Sequence, residues 1–368
     1  MLAELERHPH ARAVLAPALD TPSHPSHAYL FHGPGGAGKR AAARALAAEL
    51  LAEGEADPES ARARVMSGAH PDLTWVVPSG AHEILVSDID EPVISAASKT
   101  PFESSRRVFV IERADELGDE AANRMLKTLE EPAAFVHLIL LTDRPGEILP
   151  TIRSRCQTVR FEAPSEGEAA AAIQELGVSA QTALACVRLA LQDGDRAREL
   201  AGAEGHALRA AAERYARCAI SGGMEARPWT EVLSAARARG EAIASELEAT
   251  AAAELELTAR KDRKRVETEW SERIRRSRRR VQTGALDLGL QLVSLWFGDL
   301  ACAAYGADEL VRNCDRAAEL GDDAGADPAR LRRAIELVED TRERFLLNVS
   351  EDLACEALAY RLAQTLRR

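Results

Sequence analysis

The stretch AYLFHGPGGAGKRAAARALAAELL, residues 28–51, decides the fold of the amino-terminal part of the chain. It combines a short apolar β-like run, a glycine-rich loop that matches G-x-x-x-x-G-K, and an alanine-rich helix. In such a loop, successive backbone N–H groups turn toward a polyphosphate, and the lysine adds a point charge beside the helix N-terminus. The stretch predicts a phosphate-binding loop whose ligand contacts are Gly33, Gly35, Gly36, Gly38 and Lys39.

The two motifs that would hydrolyse a nucleotide are both altered. Arg40 stands where a Ser or Thr hydroxyl normally binds the Mg²⁺ ion, and its cation would repel the metal. The apolar run that begins at Val108 ends in Glu112-Arg113, where a hydrolase carries Asp-Glu. From these two losses we expect that the chain is not an active ATPase. A diverged enzyme with unusual metal ligands is the alternative interpretation.

Five apolar runs alternate with helical patterns as far as residue 162. This alternation predicts a five-stranded parallel sheet covered by helices. After Pro164 the pattern changes to consecutive amphipathic helices, so we expect the remainder of the chain to be all helical. The predicted strands are Ala28–His32, Asp72–Val77, Val108–Glu112, Val136–Thr142 and Gln157–Phe161. Apolar core stripes are predicted around Leu292, Leu295, Trp296, Leu300, Leu346, Val349, Leu353 and Leu358, and the sequence leaves open which of them pack within the chain and which against another subunit.

The segment between Gly240 and Gly284 contains neither Gly nor Pro, and one continuous helix there would extend about 60 Å. The sequence leaves open whether this helix is straight or folds back. Residues 241–258 carry five acids and no base, whereas residues 259–280 carry eleven bases and four acids. The basic part could contact the backbone of DNA. Because acids lie between its bases and Trp270 is its one aromatic residue, we favour a solvated or self-paired helix.

Composition excludes several classes of protein. A net charge of -12 argues against nucleic-acid binding over the whole surface, so any DNA contact must be local. The six cysteines form no CxxC pair, which indicates neither a disulfide scaffold nor a zinc site. The start of the chain lacks a signal sequence, and no segment has the 18 or so uncharged apolar residues of a membrane span. We expect a soluble protein of the reducing cytoplasm that makes no membrane contact.

Five segments occur in the order typical of one protein family. With them the chain resembles the AAA+ clamp-loader subunits of bacterial DNA polymerase III. The HPDL and LPTIRSRCQ segments and the altered nucleotide site resemble the delta-prime subunits more than the tau/gamma ATPase subunits. The segments are HAYLFHGPGGAGK at 27–39, HPDL at 70–73, AANRMLKTLEEP at 121–132, HLILLT at 137–142 and LPTIRSRCQTVRF at 149–161.

The resemblance implies an α/β AAA+ P-loop domain over residues 1–162, an all-α lid over 163–205 and an all-α collar domain over 206–368. The predicted charged helix at about 240–284 would be an insertion in the collar. Arg155 matches the family's arginine finger, which reaches the ATP of a neighbouring subunit. Thr142 matches the sensor position, and Arg198 aligns loosely with the second sensor.

The function that this resemblance implies is that of a stator without its own ATPase. Its partners would be the tau/gamma and delta subunits and, indirectly, the sliding clamp and primer-template DNA. No cofactor is required of such a subunit, and the ATP/Mg site is degenerate. Two rivals stay open: an active AAA+ ATPase of the tau/gamma type, and a DNA-binding scaffold that has left the loader.

Several side chains also have simpler interpretations. Many family members carry a four-cysteine zinc module, but residues 51–69 contain no cysteine, so we predict no zinc and a loop position for His70. Arg153 and Arg155 could be ordinary surface charges at the start of a strand. For Lys127 a structural ion pair with Glu130 or Glu131 is the better interpretation.

Overall fold

The computed structural model describes residues 5–19, 25–78, 83–323, 325–345 and 349–366. Its internal contacts divide the chain into two compact units, Met1–Pro164 and Ser165–Arg368. The first unit contains the sheet, and the second contains helices and no strand among its described residues.

The sheet of the first unit has five parallel strands in the order β2-β3-β4-β1-β5. The predicted five-stranded parallel sheet is confirmed. Strands β1 and β4 lie at its centre and are almost completely buried, which explains their uninterrupted apolar sequences. The strands are β1 (Ala28–His32), β2 (Leu73–Val76), β3 (Arg107–Ile111), β4 (Val136–Thr142) and β5 (Gln157–Arg160).

Two hydrophobic cores flank this sheet. One contains Phe31 and Leu46 and joins the sheet to the first two helices, and the other contains Ile89 and Met125. A π-helical turn, Asp90–Ser95, continues the fourth helix. The helices are α1 (Pro9–Leu19), α2 (Lys39–Ala52), α3 (Pro58–Ser67), α4 (Val86–Ile89), α5 (Asp119–Glu130) and α6 (Pro150–Arg153).

One hydrophobic core runs through the second unit, from Ala170 to Leu366. It is shared by helices on both sides of residue 205, and the division into lid and collar stays a prediction. The helices are α7 (Glu166–Gln174), α8 (Ala180–Leu189), α9 (Gly194–Ala201), α10 (Ala203–Ser221), α11 (Trp229–Leu257), α12 (Arg263–Ala304), α13 (Ala317–Asp322), α14 (Pro328–Arg344) and α15 (Glu351–Leu366).

The segment 240–284 folds back on itself, which is one of the two arrangements that the sequence left open. Helix α11 ends before Thr258, whose backbone is extended, and α12 begins at Arg263. The two helices pack antiparallel, because Arg278 pairs with Glu241 at 3.3 Å while Trp270 Nε1 donates to Glu254 at 3.0 Å. Folding back buries a small apolar cluster that a single straight helix would leave in water; it contains Ala251, Val266 and Trp270.

Most of the predicted core stripes are correct. Leu292, Trp296, Leu300 and Leu358 are buried, and Leu295 and Val349 are partly buried against the same core. Leu353 is an exception, since it is 67% exposed, and Leu346 lies outside the described residues.

Helix α12 contains a stretch that is long and apolar enough to cross a membrane. Within this stretch 67% of the residues are buried in the protein. Packing in the core of the second unit therefore accounts for its hydropathy, as it does for other buried helices.

Candidate nucleotide site and arginine finger

The glycine-rich loop connects β1 to α2 at the carboxyl edge of the sheet. Gly33, Gly36 and Gly38 have positive φ values of 146°, 69° and 87°, a region that other residues rarely adopt. A methyl group on Gly33 would also clash with the backbone carbonyl of Phe161, which follows β5. The sequence therefore folds this loop as predicted, and packing against β5 requires a glycine at position 33.

Lys39 is buried, and its ammonium group contacts oxygen atoms of the protein itself. Its Nζ donates to the carbonyl oxygens of Gly33 at 2.7 Å and Pro34 at 2.6 Å. It also lies 2.6 Å from a carboxylate oxygen of Asp143, the residue that follows β4. A phosphate group would have to compete with these three contacts for the lysine.

The two altered hydrolytic positions contact each other. Arg40 binds one oxygen of Glu112 through Nε at 2.9 Å and through a terminal nitrogen at 2.7 Å. Trp75 Nε1 donates to the other oxygen of Glu112 at 2.7 Å. Since Arg40 offers no oxygen and both Glu112 oxygens already accept hydrogen bonds, these side chains do not fit a Mg²⁺ ion. Sequence reasoning identified both losses and missed their pairing, although the opposite charges at the two positions were a signal for it.

Thr142 is buried at the end of β4 in a polar network. Its hydroxyl donates to Asp115 at 2.6 Å and accepts from the backbone N–H of Arg144 at 2.9 Å. The Arg144 side chain binds the same aspartate at 2.8 Å. Arg113, beside the altered acid, pairs with Glu116 at 2.6 Å. The sensor role of Thr142 stays a prediction, while the network gives the residue a structural role.

His8, which sequence reasoning missed, lies close to the loop just before α1. The backbone N–H of Glu162 donates to its Nδ1 at 3.2 Å, and its ring lies 5.0 Å from that of Phe161. A methyl group on Gly38 would lie 3.7 Å from its Nε2. Burial lowers the pKa of His8, although contact with Glu162 opposes the shift.

Arg155 lies at the opposite edge of the sheet from the glycine-rich loop. It precedes β5, whereas the loop follows β1, and these strands are parallel neighbours. Four or five residues of strand separate the two edges by about 15 Å. Arg155 donates to Glu130 at 2.5 Å and to the carbonyl of Thr151 at 2.8 Å, and its side chain is 34% exposed. It cannot serve the loop of its own chain from this position.

The remaining predicted side chains lie elsewhere. Arg153 is exposed and has no ion pair with any residue that the structure describes. Lys127 pairs with neither Glu130 nor Glu131 in the described part of the chain, and Glu130 binds Arg155. Arg198 belongs to the second unit, where it pairs with Asp195 at 3.3 Å, and its role as a second sensor stays a prediction.

The HPDL segment, residues 70–73, forms hydrogen bonds with the loop at residues 102–104. Asp72 is fully buried and accepts backbone N–H groups from Phe102, Glu103 and Ser104 at 2.6, 2.9 and 3.0 Å. Burial alone would raise the pKa of Asp72, but these donors hold it below its ordinary value. His70 is a buried loop residue 3.2 Å from Glu103. Within the described ranges, no three His, Cys, Asp or Glu side chains are grouped as a metal ion would require.

Comparison with known proteins finds relatives of the first unit. A family model described as DNA polymerase III, delta subunit, matches residues 9–165. Residues 9–165 are thus similar to that family. The DNA polymerase III subunit delta-prime of Bacillus subtilis is 44% identical over 141 residues, which are 37% of this chain and 42% of the relative. The delta-prime subunit of Pseudomonas aeruginosa is 37% identical over 150 residues, 39% of this chain and 45% of the relative.

Relatives of a second kind match the same part of the chain. The DNA polymerase III subunit gamma/tau of Mycobacterium tuberculosis is 33% identical over 171 residues, 43% of this chain and 28% of the relative. The matches thus span less than half the length of each of these relatives. A solved structure of a gamma subunit-related protein from Thermotoga maritima covers 97% of this chain and is itself covered completely, with 15% identity. Its TM-score of 0.47 is too low to support an argument.

Proposed function

We propose that the chain is a delta-prime-type subunit of a DNA polymerase III clamp loader that hydrolyses no ATP itself. The observation that carries the proposal is the ion pair between Arg40 and Glu112. It joins the two positions that would share a Mg²⁺ ion in a hydrolase, and it places a guanidinium where that ion would be needed. The delta-prime relatives of the first unit support the same assignment.

Arg155 is the residue proposed to act on a neighbour. Its position at the amino edge of the sheet separates it from its own loop and leaves it accessible to another subunit. A guanidinium delivered in this way stabilises the charge that develops on the transferred phosphoryl group, and such fingers contribute roughly 10³ to 10⁵ in rate. To reach a partner's ATP, Arg155 would have to exchange its contact with Glu130 for the phosphates.

The proposed partners are a tau/gamma-type ATPase and a delta-type subunit, with the sliding clamp and primer-template DNA as indirect partners in the bacterial cytoplasm. Helix α15 offers one surface for assembly, because Leu353 and Tyr360 are each 67% exposed. Seven residues separate them, so they lie on one face of the helix. A contact with another subunit would bury both side chains.

The test is ATP hydrolysis by a reconstituted loader, stimulated by DNA and the clamp. We expect Arg155→Ala to lower turnover at the neighbouring site by about 10³-fold or more, because the transition-state contact is lost. Arg153→Ala is the matched control, since it removes an equal charge two residues away. Assembly of each loader is checked by gel filtration. Equal turnover by the two variants in assembled loaders would contradict the finger role.

The second candidate is a tau/gamma-type ATPase, which the gamma/tau relative and the retained loop glycines favour. It predicts that the isolated chain hydrolyses ATP in the presence of Mg²⁺. Steady turnover that disappears in Lys39→Ala would establish this candidate and exclude the first one.

A further inference from the structure

The hairpin of α11 and α12 concentrates positive charge in a chain that is acidic overall. Residues 259–280 carry a net charge of +7, from eleven bases and four acids, while the whole chain carries -12. Part of this charge is neutralised inside the second unit. The ion pairs are Arg265–Glu269 at 2.7 Å, Arg276–Glu272 at 3.3 Å, Arg278–Glu241 at 3.3 Å and Arg279–Glu351 at 3.1 Å.

Two further bases have contacts other than an ion pair: Arg263 donates to the carbonyl of Thr258 at 3.1 Å, and Arg273 lies 4.8 Å from the ring centre of Trp270. Four others have no acidic partner among the described residues, and we call them the basic stripe: Arg260, Lys261, Lys264 and Arg275. All four are exposed. Arg260 and Lys261 lie at the turn of the hairpin. Lys264 and Arg275 are eleven residues apart on α12, which is about three helical turns, so they share one face about 17 Å apart.

The two residues nearest the line that joins them are neutral, while Glu267 and Glu272 flank that line on either side. Thr268 and Ser271 lie between Lys264 and Arg275 at helical spacing, and both are exposed. The hairpin does contain acidic side chains without an ion pair, yet none of them pairs with the stripe. Glu246, Glu248 and Glu256 on α11 are exposed and have no ion pair with any described residue. Mutual repulsion within the stripe is therefore not relieved inside the protein, and an external anion would relieve it.

The composition of the stripe selects among anionic partners. It offers no exposed apolar or aromatic side chain, such as the centre of a protein interface or an amphipathic membrane helix needs. The aromatic ring of the hairpin, Trp270, is buried in the apolar cluster and cannot stack on the bases of a single strand. A row of hydroxyls and cations about 17 Å long matches the regular phosphates of a duplex, about five along one strand.

We infer that the basic stripe binds the phosphate backbone of duplex DNA without regard to sequence. The phosphate chemistry follows from the hairpin alone, whereas the choice of DNA as the polymer rests on the proposed function. The inference takes up the DNA contact that the sequence left open beside a solvated or self-paired helix. Binding by the isolated chain tests the inference without any ATPase, so its failure and that of the proposed function can be told apart.

The experiment is fluorescence anisotropy of a labelled 30-base-pair duplex titrated with the full chain between 50 and 200 mM salt. Four phosphate contacts predict a slope of about -3.6 in log K against log salt, equal to an affinity loss of about 100-fold over this range. Replacing all four stripe residues with Gln should lower the slope by about that amount. Lys261→Arg combined with Lys264→Arg keeps the charge and should keep the binding.

The matched control replaces four other exposed bases of the second unit with Gln: Arg214, Arg227, Arg332 and Arg333. It changes the net charge equally and should leave most of the salt slope. Circular dichroism verifies that every variant keeps its helices. Three results would overturn the inference. They are absence of duplex binding, equal effects of the two fourfold variants, and tighter binding to single strands or phosphatidylserine vesicles than to the duplex.

Discussion

Asp72→Asn is the substitution with the largest expected effect on the first unit. The wild-type carboxylate receives three backbone N–H groups, one on Oδ1 and two on Oδ2. An asparagine has one oxygen and turns an amide nitrogen toward at least one of these donors. Losing one bond to a charged group costs about 1.5–3 kcal/mol, and an unsatisfied buried donor costs about 1–3 kcal/mol more. We expect a destabilisation of about 3–5 kcal/mol.

Two measurements test this value. Urea unfolding followed by circular dichroism gives the stability, and hydrogen exchange reports on the N–H groups of Phe102, Glu103 and Ser104, which should exchange at least about 100-fold faster if 3 kcal/mol is lost. Asp57→Asn is the control, because Asp57 caps α3 at the surface and asparagine caps equally well. Unchanged exchange in Asp72→Asn, or stabilities of the two variants within 1 kcal/mol, would refute the reasoning.

Two further predictions concern buried ionisable side chains. Arg40→Ala leaves the buried Glu112 carboxylate without its cation and should destabilise the chain by about 1–2 kcal/mol. The loss is modest because Arg40 is itself 59% exposed and its charge is screened by water. In a double-mutant cycle, Glu112→Gln should remove most of this loss, and additive effects of the two substitutions would contradict the pairing. Burial lowers the pKa of His137 to about 4 from 6.5, so the folded state takes up its proton only at lower pH than the unfolded state. Stability should fall as the pH drops from 6.5 to 4, by about 3 kcal/mol for this group, and urea midpoints of His137→Gln should lack that part of the decline.

The sheet could be predicted because its strands are buried on both faces. Strands β1 and β4 have the predicted bounds, and the others differ by one or two residues. Their apolar runs leave few alternatives once a glycine-rich loop follows the first of them. The loop likewise followed from its glycines, whose positive φ values other residues rarely adopt.

The sequence alone was insufficient where tertiary contacts outweigh local preference. Residues 241–257 are mostly strong helix formers without Gly or Pro, so the local sequence did not show that the helix ends before Thr258. The break follows from contacts between distant residues, above all the packing of Trp270 near Ala251. The pairing of Glu130 with Arg155, 25 positions apart, is of the same kind. Sequence spacing indicated a contact between Glu130 and Lys127 within one helix, whereas the fold brings Arg155 to Glu130.

The retained phosphate loop is weak evidence for nucleotide binding in this chain. Gly33 is needed because β5 packs against it, and the Lys39 ammonium links the loop to Asp143 at the end of β4. Arg40 binds Glu112 and so connects α2 to β3. Each contact ties the loop to a different strand, which gives its residues a structural role that does not require a nucleotide. A loop kept for this reason can lose its metal ligands without losing its shape, as the Arg40–Glu112 pair illustrates.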